Sequence, residues 1–239
     1  MNKQNLYSVG GLFAILLGLT KIWTAISYLI IPADQRAAVP GKVFLPAYAQ
    51  GHGLLNSLFW AEALVGVFGL AIVPALARWL VNQRNEGWVK WTSALATVGF
   101  AVSAIGYFLT LARLPGIATA FVNGDPSTQA ALAVTWRSTP DLFGFWGYGA
   151  IGIWMLCVSL IMLQRADISK VFAIIGLLTG VLSILVAAGT YFKFQPLLLL
   201  GAAAGGIAAP VWFIWLGLLL RRGPKVVMET EKGLQPVQP

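Results

Sequence analysis

The chain has 239 residues, of which 58% are hydrophobic and only 10% are charged, and its mean hydropathy is +0.79. Soluble domains carry about 25% charged residues, so this chain lacks the charge needed to cover a water-exposed surface. Its formal net charge is +8, but the positive residues lie mostly in short loops on one side, which is a topology signal and not a nucleic-acid-binding one. Apolar runs longer than about 18 residues recur along the chain, which predicts an all-α, polytopic transmembrane protein.

Six transmembrane helices are predicted, at about residues 7–31, 54–80, 88–113, 140–164, 169–192 and 196–220. We expect the first to be retained and not cleaved as a signal peptide, because Lys21 interrupts its apolar run. The third is predicted to stop before Pro115. The fourth is predicted to begin at Pro140, with Thr139 as its N-cap. Residues 1–222 would then form one membrane domain, and 223–239 a polar cytoplasmic tail.

The connections and their charges predict an orientation. The two longer connections, 32–53 and 114–139, are apolar enough to lie at the membrane interface as caps, and the second contains a strong turn signal at 123–126 followed by a short helix at 127–134. Outside the spans, ten Lys and Arg residues fall on the N-terminal side and five on the other. Both termini are therefore expected in the cytoplasm, with the protein in a bacterial-type inner membrane.

Two charged residues fall inside the first two spans. Lys21 lies roughly 16 Å from the outer end of the first helix, and Glu62 roughly 12 Å from the outer end of the second, at about 1.5 Å per residue. Lys21 shares a helix face with Gly18, and Glu62 shares one with Gly66. Because small residues let helices approach closely in lipid, we predict that Lys21 and Glu62 meet between the two helices, away from the acyl chains.

Two interpretations of this pair are open. It is either a structural bridge, completed by hydroxyls such as those of Thr20 and Thr24, or a polar site at the floor of a cavity that opens to the outer face. Replacing a buried ion pair by apolar residues is often neutral or stabilising, so stability alone is a poor reason to keep one. The candidate polar site consists of Lys21, Glu62, Thr24, Asn56, Tyr107, Thr110, Asp141 and Tyr148.

The sequence offers no catalytic set. Cys157 and His52 each stand alone in the chain, which excludes an internal disulfide, a structural zinc site and bis-histidine haem. Glu62 and Asp141 are the only acids in or near the spans, so no pair of catalytic carboxylates is present. We therefore expect no enzyme activity, no catalytic or metal-binding residue and no cofactor. A pigment or quinone stacked on the deeper tryptophans is the weaker alternative.

Several short patterns are typical of one family: an apolar first helix rich in Gly and Leu, Asp141-x₂-Gly144 at the start of the fourth helix, a glycine-rich fifth helix at 171–189, and the sequence from Trp212 to Gly217 in the sixth. Over about residues 7–222 the chain resembles the uncharacterised bacterial six-helix integral membrane proteins that are grouped as a domain of unknown function. The resemblance implies a transmembrane bundle. It brings no activity and no catalytic residue with it.

The leading functional hypothesis is a non-enzymatic accessory or scaffold subunit. Stretches such as 201–209 are nearly all Gly or Ala, and such faces allow close packing against other membrane subunits. The expected partners are then the lipid bilayer and those subunits, with no nucleic acid. The alternative is a small-molecule binder or transporter whose polar site contains Lys21 and Glu62.

Overall fold

The computed structural model describes residues 3–36, 39–136 and 144–223, and all regular structure within these ranges is helical. The elements are α1 (Lys3–Ile30), a 3₁₀ turn (Ala33–Gln35), α2 (Gly41–Gln50), α3 (Gly53–Leu80), α4 (Glu86–Asn123), α5 (Pro126–Thr135), a π-helical turn (Phe145–Gly149), α6 (Ala150–Leu163), α7 (Lys170–Tyr191) and α8 (Gln195–Arg222). The predicted tail lies outside the described residues from 224 onward.

Five helical stretches of the described chain are long and apolar enough to cross a membrane: Asn5–Ile30, Gly53–Leu80, Glu86–Asn123, Phe145–Leu163 and Lys170–Tyr191. They lie on the first five predicted spans and indicate a membrane protein. α8 has 28 residues and lies on the sixth predicted span. Its passage through the membrane stays a prediction.

The six long helices form a closed ring. Each packs against two neighbours, in the order α1, α3, α4, α6, α7 and α8, and α8 returns to α1. Contacts across the ring are few and join α3 to α6 and to α8. The start of α1 and the end of α8 lie on the same side of the ring, as shown by Gly11 lying against Gly217 and Arg221. We call this side the termini end and the opposite side, which carries α2 and α5, the cap end.

Two apolar cores fill different parts of the ring. The first occupies the half toward the termini end, where Leu17, Phe172 and Trp212 are fully buried. Trp212 stacks on Phe172 with ring centroids 5.5 Å apart, and Trp154 meets it edge-on at 6.2 Å. The second, which we call the cap core, joins α2 to the cap-end parts of α3 and α4 through residues such as Phe44. The space between the cores is where Lys21 and Glu62 lie.

Helix α4 does not stop before Pro115, and that prediction is wrong. α4 continues for eight residues past the proline to Asn123. A proline inside a helix removes one hydrogen bond, but the three residues Leu114, Ala118 and Phe121 bury their side chains in the cap core, which offsets the loss. The 38 residues of α4 span about 57 Å at 1.5 Å per residue, against a hydrocarbon thickness of about 30 Å. α4 is therefore longer than the hydrocarbon interior is thick, and it packs against both α2 and α5.

The predicted short helix after the 123–126 turn is confirmed as α5. Asp125 caps its first turn by accepting a hydrogen bond of 2.7 Å from the backbone N–H of Thr128, and Pro126 stands at the first helical position. This bond, with a second one from the Ser127 hydroxyl, holds the pKa of the Asp125 carboxyl below its usual value. The start of α5 thus shows a standard N-cap hydrogen bond and a proline at the first helical position.

The start of the predicted fourth helix differs from an α-helix. Its first predicted residues, including Thr139 and Pro140, lie outside the described ranges. The next ones, Phe145–Gly149, form a single π-helical turn before α6 begins at Ala150. The N–H of Gly149 donates to the carbonyl of Gly144 at 3.1 Å, which is the i to i+5 pattern of a π-turn.

Candidate functional site

Lys21 and Glu62 form an ion pair between α1 and α3, as the sequence predicted. The Lys21 Nζ donates to both carboxylate oxygens of Glu62, each at 2.9 Å. Close helix contact sets this geometry. One turn before Lys21, a Cβ on Gly18 would stand 3.0 Å from the carbonyl of Pro210 in α8, and a Cβ on Gly66 would stand 2.5 Å from a backbone nitrogen of α4. These two glycines pack α1 closely against α8 and α3 closely against α4. The close contact between α1 and α3 themselves is at Gly10, where a Cβ would stand 2.2 Å from the Cβ of Ala75.

The pair is buried but not sealed. The Glu62 side chain is 5% exposed, whereas that of Lys21 is 18% exposed. The exposure increases along the same stripe of α1, from Leu17 at 0% to Tyr28 at 40%. Along this stripe α1 is buried toward the termini end and more exposed toward the cap end, and Lys21 lies between the two.

Tyr148 joins the pair from the π-helical turn. The Lys21 Nζ lies 5.8 Å from the centroid of the Tyr148 ring, within the range of a cation–π contact. A π-turn carries one more residue than an α-turn, which changes the direction of the side chains on its two sides. π-turns are frequent at functional sites, and this one presents Tyr148 to the charged pair.

Tyr107 lies on the other side of Glu62. It is 3% exposed, packs beside Phe59 with ring centroids 6.1 Å apart, and interacts electrostatically with Glu62 and with Tyr148. The structure therefore brings Lys21, Glu62, Tyr107 and Tyr148 together from α1, α3, α4 and the π-turn. These four were among the residues predicted from the sequence.

The other predicted wall residues use their hydrogen bonds elsewhere. The Thr24 hydroxyl donates to the carbonyl of Thr20 at 3.1 Å, and the Thr20 hydroxyl donates to that of Leu16 at 2.8 Å. The expectation that these hydroxyls complete the ion pair is wrong. Each donates within α1 and, among the described residues, the hydrogen bonds of the Lys21 Nζ go to Glu62. The Thr110 hydroxyl likewise donates to the carbonyl of Gly106.

Asn56 belongs to a separate cluster at the cap end, and Asp141 lies outside the described residues. The Asn56 side-chain oxygen accepts a hydrogen bond of 2.7 Å from the Tyr48 hydroxyl, and His52 stacks on Tyr48 with ring centroids 4.4 Å apart. Burial raises the pKa of the Tyr48 phenol. Tyr48 was not predicted from the sequence as a partner of Asn56. Their spacing of eight residues across a loop gave no helical signal for the contact.

The chemistry of the pair is that of a net-neutral polar site. The Lys21 ammonium has three N–H groups. Its two hydrogen bonds to Glu62 leave at least one N–H for a ligand. The carboxylate keeps lone pairs beyond the two that accept from Lys21. Among the described residues, no group of three or more His, Cys, Asp or Glu side chains is placed to hold a metal ion.

One family model matches most of the chain. The family described as a domain of unknown function, DUF4386, matches residues 9–219. The chain belongs to the DUF4386 family. The resemblance predicted from the sequence is thereby confirmed at the level of an uncharacterised family, and the matched residues contain both Lys21 and Glu62. No curated protein and no solved structure matches this DUF4386 chain.

Proposed function

We propose that this DUF4386 protein binds or carries a small molecule at the Lys21–Glu62 pair, without enzymatic chemistry. The supporting observation is an ion pair buried between helices whose lysine side chain remains 18% exposed. A pair kept only for helix register has no need of that exposure. Tyr107 and Tyr148 provide phenol groups beside the pair, and the fully buried residues beneath it close the ring interior on the other side.

The accessory-subunit hypothesis has less support from the packing. A Cβ on Gly11 would lie 2.8 Å from the carbonyl of Gly217, and one on Gly152 would lie 2.9 Å from the carbonyl of Gly180. These two glycine faces are therefore already used inside the chain. Gly205 and Gly206, in the 201–209 stretch, are packed less closely, with nearest neighbours at 4.0 and 3.8 Å.

The orientation belongs to the same proposal. We place six spans in a bacterial inner membrane as a multi-pass protein with both termini cytoplasmic, because the positive residues of the loops gather at the termini end. The cap end then faces the outside.

Native mass spectrometry of the purified protein tests the proposed binding. We expect wild-type protein extracted in mild detergent to carry a bound small molecule, and Lys21→Met with Glu62→Leu to lose it while remaining folded. Ser159→Ala is the matched control, because Ser159 is fully buried in the ring but lies in the core toward the termini end. This variant should keep the bound molecule.

Two results would overturn the proposal. One is the same bound mass in the wild type and in the double variant. The other is wild-type protein that carries no small molecule and copurifies with a second protein in fixed ratio, which would favour the accessory-subunit hypothesis.

A further inference from the structure

We infer that the Lys21–Glu62 pair binds a small monocarboxylate anion together with one proton. The ammonium of Lys21 binds the carboxylate of the ligand, and Glu62 takes up a proton from water, so that the net charge of the site is zero before and after binding. This inference rests on the proposed function, because it names the ligand class of the same site.

Lys21 is the partner that an incoming group meets. Its side chain is 18% exposed, whereas that of Glu62 is 5% exposed. Two hydrogen bonds join its Nζ to Glu62, and at least one N–H of the ammonium remains. A charged donor forms its strongest hydrogen bonds with an acceptor of opposite charge. The pair therefore presents its cation, and not its anion, to a ligand.

The bond to Glu62 shows which anion suits Lys21. The Nζ lies 2.9 Å from both carboxylate oxygens, so the lysine already holds a carboxylate by its two acceptors. A ligand carboxylate has the same two oxygens and can take the same kind of place on the ammonium. In residues 3–36, 39–136 and 144–223, no second cation contacts Glu62. A ligand with one negative charge is therefore the one that a single ammonium can neutralise.

A bound anion requires a proton at this site. Ligand and Glu62 would otherwise place two negative charges beside one ammonium between helices, and a buried, uncompensated charge is costly enough that the group usually neutralises instead. Lys21 is already protonated, and the neutral phenols of Tyr107 and Tyr148 beside Glu62 have no proton to gain. The new O–H bond therefore forms on Glu62.

The titratable groups around Glu62 come from the elements packed against α3. Lys21 belongs to α1, Tyr107 to α4 and Tyr148 to the π-turn, and all three interact electrostatically with one another or with Glu62. α6 and α8 also contact α3, and their titratable residues are Cys157, Arg221 and Arg222. The two arginines end α8 at the termini end, so they do not compensate a charge on Glu62.

Tyr148 keeps the proton of Lys21 in place. The Nζ lies 5.8 Å from the centroid of the Tyr148 ring, and an aromatic face attracts the ammonium form of an amine. This attraction persists whether or not Glu62 carries its charge. Glu62 is therefore the group that exchanges a proton, which disfavours the opposite scheme of a cationic ligand that displaces the lysine proton.

A neutral ligand would leave the pair unexplained. Charged side chains inside a membrane span are expensive, and hydroxyl or amide groups hold a neutral ligand without that cost. Exchange of one anion for another needs a fixed cation beside an anion that can be protonated. Lys21 and Glu62 provide these two groups.

Calorimetric titration of the purified protein in mild detergent tests the coupling. The probe is propionate, with propionamide as its neutral analogue, and titrations at pH 7 in two buffers of different ionisation enthalpy give the protons taken up for each anion bound. We expect about one proton for propionate and no detectable binding of propionamide. Between about pH 6 and about pH 8, where propionate stays ionised, its affinity should fall about tenfold per pH unit.

Three variants locate the anion and the proton. Glu62→Gln resembles the protonated carboxyl, so it should bind propionate without proton uptake and with an affinity that does not depend on pH. Lys21→Met should lose the binding. The matched control is Glu86→Gln, because Glu86 also pairs with a lysine, Lys90, but is 51% exposed at the start of α4. This control should bind propionate and take up a proton as the wild type does.

The outcomes separate this inference from the proposed function. Propionate binding without proton uptake by the wild type overturns the coupling, a result that needs no variant to fold. Proton uptake by Glu62→Gln equal to that of the wild type places the proton on the ligand and overturns the role of Glu62. Unchanged binding by Lys21→Met overturns the site of the anion. Failure of propionate to bind, while native mass spectrometry finds a neutral molecule that the double variant loses, overturns this inference and keeps the proposed function.

Discussion

Removing one charge of the Lys21–Glu62 pair should destabilise the protein far more than removing both. The three variants that test this are Lys21→Met, Glu62→Leu and the double variant, each of which replaces a charged side chain by an apolar one of similar size. The single variants leave a charge between helices without its partner. The double variant leaves two apolar side chains in contact.

The structure sets the expected magnitudes. Breaking a buried pair by removing one partner typically costs about 3–5 kcal/mol. Lys21→Met should be at the upper end, because the Glu62 carboxylate it leaves behind is 5% exposed. Glu62→Leu should be at the lower end, because Lys21 is 18% exposed and its long stem lets the ammonium move toward water. The double variant should lie within about 1 kcal/mol of the wild type.

The free energy of unfolding of the four proteins can be compared by titration with sodium dodecyl sulfate in mixed micelles at pH 7, with tryptophan fluorescence as the readout. Two single losses of about 3–5 kcal/mol each, against a double loss of at most about 1 kcal/mol, predict a coupling free energy of at least about 5 kcal/mol between the two positions. Additive single effects, with a double variant destabilised by their sum, would refute the argument that the two charges compensate one another.

Three further predictions concern other parts of the fold. Gly66→Ala should lower the free energy of unfolding by about 1–3 kcal/mol, because its Cβ would stand 2.5 Å from a backbone nitrogen of α4. At a pH below the ordinary aspartate pKa of about 3.9, acid should protonate Asp125 and release the Thr128 N–H. The pKa of Asp125 is lowered in the folded protein, so its contribution to stability is present above the unfolded pKa and is lost as the pH falls through the folded pKa. The chemical shift of the Thr128 amide measures this release. Arg165→Lys should cost about 0.5–1 kcal/mol, measured by the same micelle titration, since Arg165 makes two bonds to a carboxylate and one of 2.9 Å to the Trp79 carbonyl.

Each of these has a matched control. Gly87→Ala should be neutral or stabilising, because nothing lies within 4 Å of its Cβ position, and equal losses at Gly66 and Gly87 would contradict the close-packing argument. Asp125→Asn keeps an N-cap acceptor but should show no acid titration of the Thr128 amide. For Arg165→Lys, an unchanged unfolding free energy would show that its hydrogen bonds add nothing to the connection between the α3 end and the α6–α7 loop.

The sequence was most informative where charge or turn chemistry left few alternatives. Lys21 and Glu62 were found because charge inside an apolar helix is expensive, and their similar depths then predicted the contact. α5 was found because an Asn-Gly-Asp-Pro turn starts a helix in a recognisable way. The apolar runs likewise placed both ends of α1, α3, α7 and α8 to within a few residues, but not the end of α4.

The errors came from tertiary contacts that a local pattern does not contain. Pro115 is a helix-stop signal on its own, but the cap core keeps α4 helical beyond it. Thr24 was a reasonable hydrogen-bond partner for the ion pair by its position, but a hydroxyl in a helix donates readily to the carbonyl four residues before it. The π-turn that presents Tyr148 was not predicted, because no local pattern at Phe145–Gly149 distinguished it from an α-helical turn.

The π-turn at Phe145–Gly149 also makes the site sensitive to the length of the chain. One residue corresponds to about 100° of rotation in an α-helix. Loss of the single codon for Gly149 would convert the wide turn to an ordinary one and swing the phenol of Tyr148 about a quarter of the way around the helix, away from the ammonium. An in-frame deletion of three nucleotides would thus remove the contact between Tyr148 and the ammonium while leaving Lys21 and Glu62 themselves unaltered.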